Sequence, residues 1–222
     1  MAPDRTLSWS LVIPVKVLAL AKSRLAGLSA PDRAELTLAM AADTVAAAAA
    51  CPAVGAVLVV TDDAAVGRVL GGLGAAVVPD LPGTGLNAAL AFGAEQAGAR
   101  WPGRGRAGLA ADLPALRPAE LGAALAAAPD RPDAFVADAA GSGTTLYVAG
   151  PDAAFCPRYG TGSRAAHLAG GAVELDVPGI DGLRQDVDTA ADLRAAARLG
   201  LGPRSAALLS AALLADLGQD ER

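Results

Sequence analysis

At 222 residues, 53% hydrophobic but only 3% aromatic, the chain is long enough to bury a sizeable core, which must be built from Ala, Val and Leu. A formal net charge of −5 excludes a sequence-independent nucleic-acid binder, because such a protein carries a basic stripe. The two cysteines, Cys51 and Cys156, are each followed by proline and match neither a metal spacing nor a disulfide framework, which points to a reduced, cytoplasmic compartment.

Asp4 and Arg5 precede an apolar run, Leu11 to Val15, that Pro14 and Lys16 interrupt, so the start does not read as a signal peptide. No stretch reaches membrane-spanning length without Gly, Pro or charge. Residues 9–15, WSLVIPV, predict the first strand, followed by a connection in which Lys16, Lys22 and Arg24 cluster. Ser29, Pro31, Asp32 and Glu35 mark the start of a helix that runs through the alanine-rich 41–50 segment to Cys51-Pro52. Val54 to Thr61 predicts a second strand, 63–72 a short helix and 75–78 a third strand. A glycine-rich loop, Asp80 to Asn87, opens a helix reaching about Gly98. Ala107 to Ala111 is a short apolar run that reads as a buried strand ending at Asp112-Leu113-Pro114, with a helix at 117–128 and a strand at 133–138 behind it.

This alternation predicts an α/β fold: a Rossmann-like three-layer α/β/α domain whose sheet is mostly parallel. From Gly141 the rhythm changes. GSGTTLYVAG reads as a strand behind a glycine turn, YGTGSRAAH as a loop opening a helix, and AVELDV as a further strand. Thr189 and Asp192 form a capping box for a helix at 190–199, and a last helix is expected at about 204–217. No repeat or linker suggests a second domain, so 1–222 reads as one domain, with a C-terminal helix and tail from about 204 that packs on its own domain or on a partner subunit; a homodimer is allowed.

Several groups carry chemistry. In open α/β sheets ligands collect at the carboxyl ends of strands, where Asp112 is placed to hold a metal. The same residue could instead cap the helix near Arg117 or close a turn, and position alone leaves the readings even. Lys16, Lys22 and Arg24 suit a phosphate-binding pocket, although neither a P-loop nor a dinucleotide fingerprint exists in the chain. Gly85 and Asn87 fit close backbone approach and amide pairing with a base edge. Two glycine turns bearing hydroxyls, Gly143-Thr144-Thr145 and Tyr159 to Arg164, suit capture of a carboxylate or phosphate. Asp186 and Asp188 resemble the second half of a metal site, with capping as the alternative for Asp188. His167, the sole histidine, one turn beyond Ser163, reads as structural.

Taken together, IPVKVLALAKSRL, GLNAAL, ADLPAL, GTTL, YGTGSRAAH and DVDTAADL resemble the 2-phospholactate/phosphoenolpyruvate guanylyltransferases (CofC/FbiD) of deazaflavin coenzyme biosynthesis, within the nucleotidyltransferases of the glycosyltransferase-A type. The resemblance spans roughly residues 9 to 200. It implies that Lys16, Lys22 and Arg24 hold the GTP phosphates, with Lys16, Lys22 and Asp112 serving catalysis, and that Gly85 and Asn87 lie near guanine. It further implies that Asp112 and Asp188 hold Mg²⁺, and that Thr145, Gly160 and Ser163 bind the phosphorylated three-carbon acid. The Ala/Gly/Arg-rich composition looks like that of a high-GC bacterium, and bacterial members prefer phosphoenolpyruvate. The expected activity is therefore transfer of GMP from GTP to phosphoenolpyruvate in coenzyme F(420) biosynthesis. Alternatives are 2-phospholactate as acceptor, another nucleotidyltransferase such as a molybdopterin guanylyltransferase, or a regulatory nucleotide-binding domain.

Overall fold

A computed structural model describes residues 8–16, 29–128 and 133–209. Lys22, Arg24 and the far end of the expected last helix lie outside the described residues. In chain order the elements are β1 (Trp9–Pro14), α1 (Ala30–Ala49), β2 (Val54–Val60), α2 (Ala64–Gly71), β3 (Ala76–Val78), α3 (Leu86–Arg100), β4 (Gly105–Leu109) and α4 (Pro118–Ala127). There follow β5 (Ala134–Ala137), β6 (Thr144–Ala149), α5 (Ser163–Ala169), β7 (Val173–Glu174), α6 (Asp181–Arg184), α7 (Ala190–Leu199) and α8 (Pro203–Leu208).

The strands form one sheet in the order β3-β2-β1-β4-β6-β5-β7. β1 pairs in parallel with both β2 and β4, and β2 with β3. β6 inserts antiparallel between β4 and β5. It is therefore the exception to an otherwise parallel sheet, because the short turn after β5 can only return the chain antiparallel. Strand alternation sorts the core. Leu11, Ile13, Val57 and Val59 pack with α1, α2 and α4 on one face, while Val12, Leu58 and Val60 pack with α3 on the other. Covering both faces gives the expected three layers.

Local chemistry explains the helix starts. Ser29 Oγ accepts the Asp32 N–H at 3.3 Å and donates to Asp32 Oδ2 at 2.6 Å, which caps α1. Thr189 and Asp192 form the reciprocal capping box of α7, with N–H···O distances of 3.2 and 2.8 Å. Two expectations need revision. The strand read in AVELDV shrinks to Val173–Glu174, at the sheet edge beside β5. α6, of only four residues, is too short to show periodicity and was not expected. Among the described residues no helix is long and apolar enough to cross a membrane.

Candidate active site

The chain order reverses at β1: β2 lies on one side and β4 on the other. Such a switch point leaves a crevice beyond the carboxyl ends of the strands. A cleft of about 690 Å³ lies there, lined by Lys16 after β1, Asp112 after β4, Asp186 and Asp188 before α7, and the 142–144 and 159–163 segments. The volume suits a ligand of nucleotide size.

Asp112 leaves the sheet under close control. β4 ends at Leu109, and Ala110 still donates its N–H to Thr145 O at 2.8 Å. Thr44, fully buried on α1, then straddles the aspartate: its hydroxyl hydrogen is shared between Met40 O at 2.9 Å and Ala111 O at 3.1 Å, and its oxygen accepts the Leu113 N–H at 3.1 Å. The Asp112 carbonyl accepts the Val187 N–H at 3.1 Å. The segments carrying Asp112 and Asp186-Val187-Asp188 are thus stitched together, and all three carboxylates line the same cleft. The capping alternative for Asp112 falls away, since α4 starts at Pro118 with Arg117 as its cap residue. Asp188 precedes the Thr189 cap, and it is Asp192 that closes that box.

Among the described residues no group of three or more His, Cys, Asp and Glu side chains is arranged to hold a metal ion. This arrangement does not suit an ion caged by protein alone. It does suit Mg²⁺, which takes one or two carboxylates and leaves its other positions to water and substrate phosphate. Asp112 and Asp188 fit that role as hard oxygen donors on adjoining segments.

The opposite wall is built on Tyr159. Its backbone N–H donates to Asn87 Oδ1 at 2.7 Å, its carbonyl accepts from Asn87 Nδ2 at 2.9 Å, and its hydroxyl donates to Gly108 O at 2.6 Å. A Cβ at Gly108 would meet the Leu90 side chain at 2.9 Å, so a larger residue there would make Leu90 move. Burial pushes the Tyr159 phenol above its usual range, which keeps it a neutral donor. Asp138, which no local sequence pattern marks, accepts the Ser142 and Gly143 N–H groups at 2.9 and 2.8 Å and shapes the adjoining turn. Arg164 N donates to Ser142 O at 3.1 Å and joins that turn to the start of α5.

Between these loops lie Thr144, Ser163 and His167, exposed by only 8%, 2% and 1%. Ser163 Oγ and His167 Nδ1 each stand 3.0 Å from Thr144 Oγ1, and the Arg158 N–H donates to His167 Nε2 at 2.9 Å. The imidazole stacks on Phe135 and Tyr147, with ring centroids 5.2 and 4.9 Å away. Burial is the main force lowering its pKa to about 4; the Arg158 charge adds to this, and a hydrogen bond to the Ser163 backbone opposes it.

The expected residues therefore divide. Lys16, Asp112, Asp188, Gly160 and Ser163 meet at one cleft. Asn87 is not among the lining residues; its amide binds the Tyr159 backbone through both the oxygen and the nitrogen and so helps to order the wall. Gly85 also lies outside the lining, at the cap of α3 with φ of 116°, a conformation that favours glycine. Thr145 stands one residue from the lining, which its neighbour Thr144 joins. The register of β6 steps from Leu146↔Val136 to Thr144↔Ala137 and leaves Thr145 as the extra residue of a bulge. Strict alternation would give Thr145 the face of Tyr147, where His167 stacks; the bulge gives that place to Thr144. Thr145 Oγ1 is buried without a hydrogen-bond partner among the described residues. Asp138 and Thr144 had no distinguishing signal beyond their place beside a glycine turn.

A switch-point cleft bordered by a cation and carboxylates defines a nucleotidyltransferase-fold α/β protein. A solved protein of Desulfovibrio desulfuricans G20, described as a nucleotide-diphospho-sugar transferase, shares the fold at a TM-score of 0.73 and 17% identity, over 95% of this chain and 99% of that one. The family described as Guanylyl transferase CofC like matches residues 9–204, and this chain belongs to it. The phosphoenolpyruvate guanylyltransferase of Thermomonospora curvata is 59% identical over 92% of this chain and 90% of its own length. That of Streptomyces coelicolor is 57% identical over 94% and 99%.

Proposed function

We propose that this protein transfers GMP from GTP to phosphoenolpyruvate, giving enolpyruvyl-diphospho-5'-guanosine and pyrophosphate, as a step towards coenzyme F(420). The observation that carries this reading is the meeting of Asp112, Asp188, Lys16 and the Thr144–Ser163 wall around one cleft, in a chain more than half identical to relatives named for that activity.

A phosphate oxygen of the acceptor attacks the α-phosphorus of GTP in line, forming the new P–O bond as the bond to the β-phosphate oxygen breaks and pyrophosphate departs. The acceptor phosphate is already anionic near neutral pH, so no general base is needed, and the one histidine is buried behind the cleft wall. Lys16 binds the triphosphate and offsets its charge. Ser163 and Thr144 orient the acid opposite, so that positioning supplies much of the acceleration. Mg²⁺ held by Asp112 and Asp188 would stabilise charge developing on the transferring phosphoryl group.

Assays with labelled GTP and phosphoenolpyruvate, 2-phospholactate or 3-phosphoglycerate test the acceptor. Guanylylated product is expected with phosphoenolpyruvate, with turnover lost on adding EDTA and restored by Mg²⁺. Turnover only with 3-phosphoglycerate would overturn the acceptor assignment.

A further inference from the structure

The hydroxyl pair behind the cleft has a definite number of protons. The Arg158 N–H donates to His167 Nε2 at 2.9 Å, so that nitrogen must carry a lone pair. A neutral imidazole then bears its proton on Nδ1, between Thr144 Oγ1, 3.0 Å away, and the Ser163 carbonyl, so Nδ1 accepts no hydrogen from Thr144. Thr144 and Ser163 bring one hydroxyl hydrogen each. One is taken up in the 3.0 Å bond between them, whichever direction it runs. His167 takes neither. One O–H is therefore left over, and both residues line the cleft. With the opposite tautomer, Nδ1 would accept that hydrogen and the wall would have no donor to offer.

We propose that His167 is a positioning residue that, by keeping its proton on Nδ1 and so accepting none from Thr144, leaves the Thr144–Ser163 pair with one O–H turned to the cleft, and so fits this wall to an oxyanion ligand. An anion presents only acceptors, and a donor already oriented by buried neighbours need not reorganise to meet it. The aromatic stack on Phe135 and Tyr147 fixes the ring plane, and the β6 bulge delivers Thr144 to it. Neither Thr144 nor His167 contacts the Asp112 or Asp188 segments in the hydrogen bonds described above. This inference rests on the reading of the wall as the pocket for the phosphorylated acid.

Because the chain has a single histidine, long-range ¹H–¹⁵N spectra of the full-length protein without a histidine tag report this tautomer directly. The expected form is Nδ1–H, and an Nε2–H form overturns the proposal. Thr144→Val keeps the shape and removes the hydroxyl, while Thr144→Ser keeps the hydroxyl. Thr144→Val is expected to raise KM for phosphoenolpyruvate about 10- to 100-fold with KM for GTP within about twofold, as loss of one bond to a charged group predicts, and Thr144→Ser to recover most of it. His167→Asn, whose amide can still donate near the Nδ1 position, is expected to lie between them. Calorimetry with phosphoenolpyruvate separates the two readings. If the unaltered chain fails to bind it, the proposed function falls together with this ligand assignment; if Thr144→Val binds it as tightly as the unaltered chain, this inference alone falls.

Discussion

Thr44 belongs to a helix far from Asp112 in sequence, yet its one hydroxyl serves the peptide groups on both sides of that aspartate. Thr44→Val would leave the Leu113 N–H without its acceptor and remove the hydrogen shared between Met40 O and Ala111 O, at a cost of about 2 kcal/mol, whereas Thr44→Ser keeps the bonds. Urea unfolding measures the stability change, and turnover is expected to fall in the valine variant as Asp112 loses its fixed direction. Asp112→Asn keeps the shape and removes the charge. Turnover should drop on the order of 100-fold or more, because stabilisation by a bound cation worth several kcal/mol depends on that charge. Thr145→Val makes the opposite case: its hydroxyl is buried and unpartnered, so the substitution should be neutral or stabilising and leave kcat and both KM values alone. A marked loss of phosphoenolpyruvate binding in that variant would return Thr145 to the acid-binding wall.

α1 and α8 show how elements remote in the chain support the cleft. Asp43, buried on α1, accepts the Arg204 and Ser205 N–H groups at 3.1 and 2.8 Å and so caps α8 from outside the helix. Gly202 lies against Asp43, where a Cβ would clash with the carboxylate. Leu36 and Met40 of α1, Leu193 and Ala196 of α7, Val187 and Leu209 form one cluster, which backs the segment bearing Asp186 and Asp188. Asp43→Ala should cost about 1–2 kcal/mol, as loss of a cap does, and hydrogen exchange should show lost protection at 203–209. Unchanged protection there would mean that packing alone holds α8. The starts of α1 and α7 could be read in sequence because their caps are local, three residues apart. The cap of α8 could not, because its carboxylate comes from 161 positions away. The bulge in β6 was hidden for a related reason, since it is defined only by the partner strand.

Across the molecule, the buried histidine sets an acid limit on stability. His167 has a pKa of about 4 in the fold and about 6.5 in an unfolded chain. Between those values the unfolded chain binds a proton that the folded chain refuses, so this group lowers stability as pH falls from about 6.5 to about 4 and has no effect above that window. The full effect is roughly 3 kcal/mol. Denaturant unfolding from pH 7 to pH 4 checks it: His167→Asn should flatten the slope in this range, and an unaltered slope would mean that other groups dominate. The amino-acid sequence by itself determined the alternation of strands and helices, the caps of α1 and α7 and the acidic and basic segments, because periodicity, local capping and turn chemistry act over a few residues. The tertiary structure alone decided that β6 runs antiparallel between β4 and β5, that Asn87 binds the Tyr159 backbone, and that Thr144 rather than Thr145 meets His167. Those outcomes depend on register and on which hydrogen-bond partners arrive from distant segments, and no local pattern carries that information.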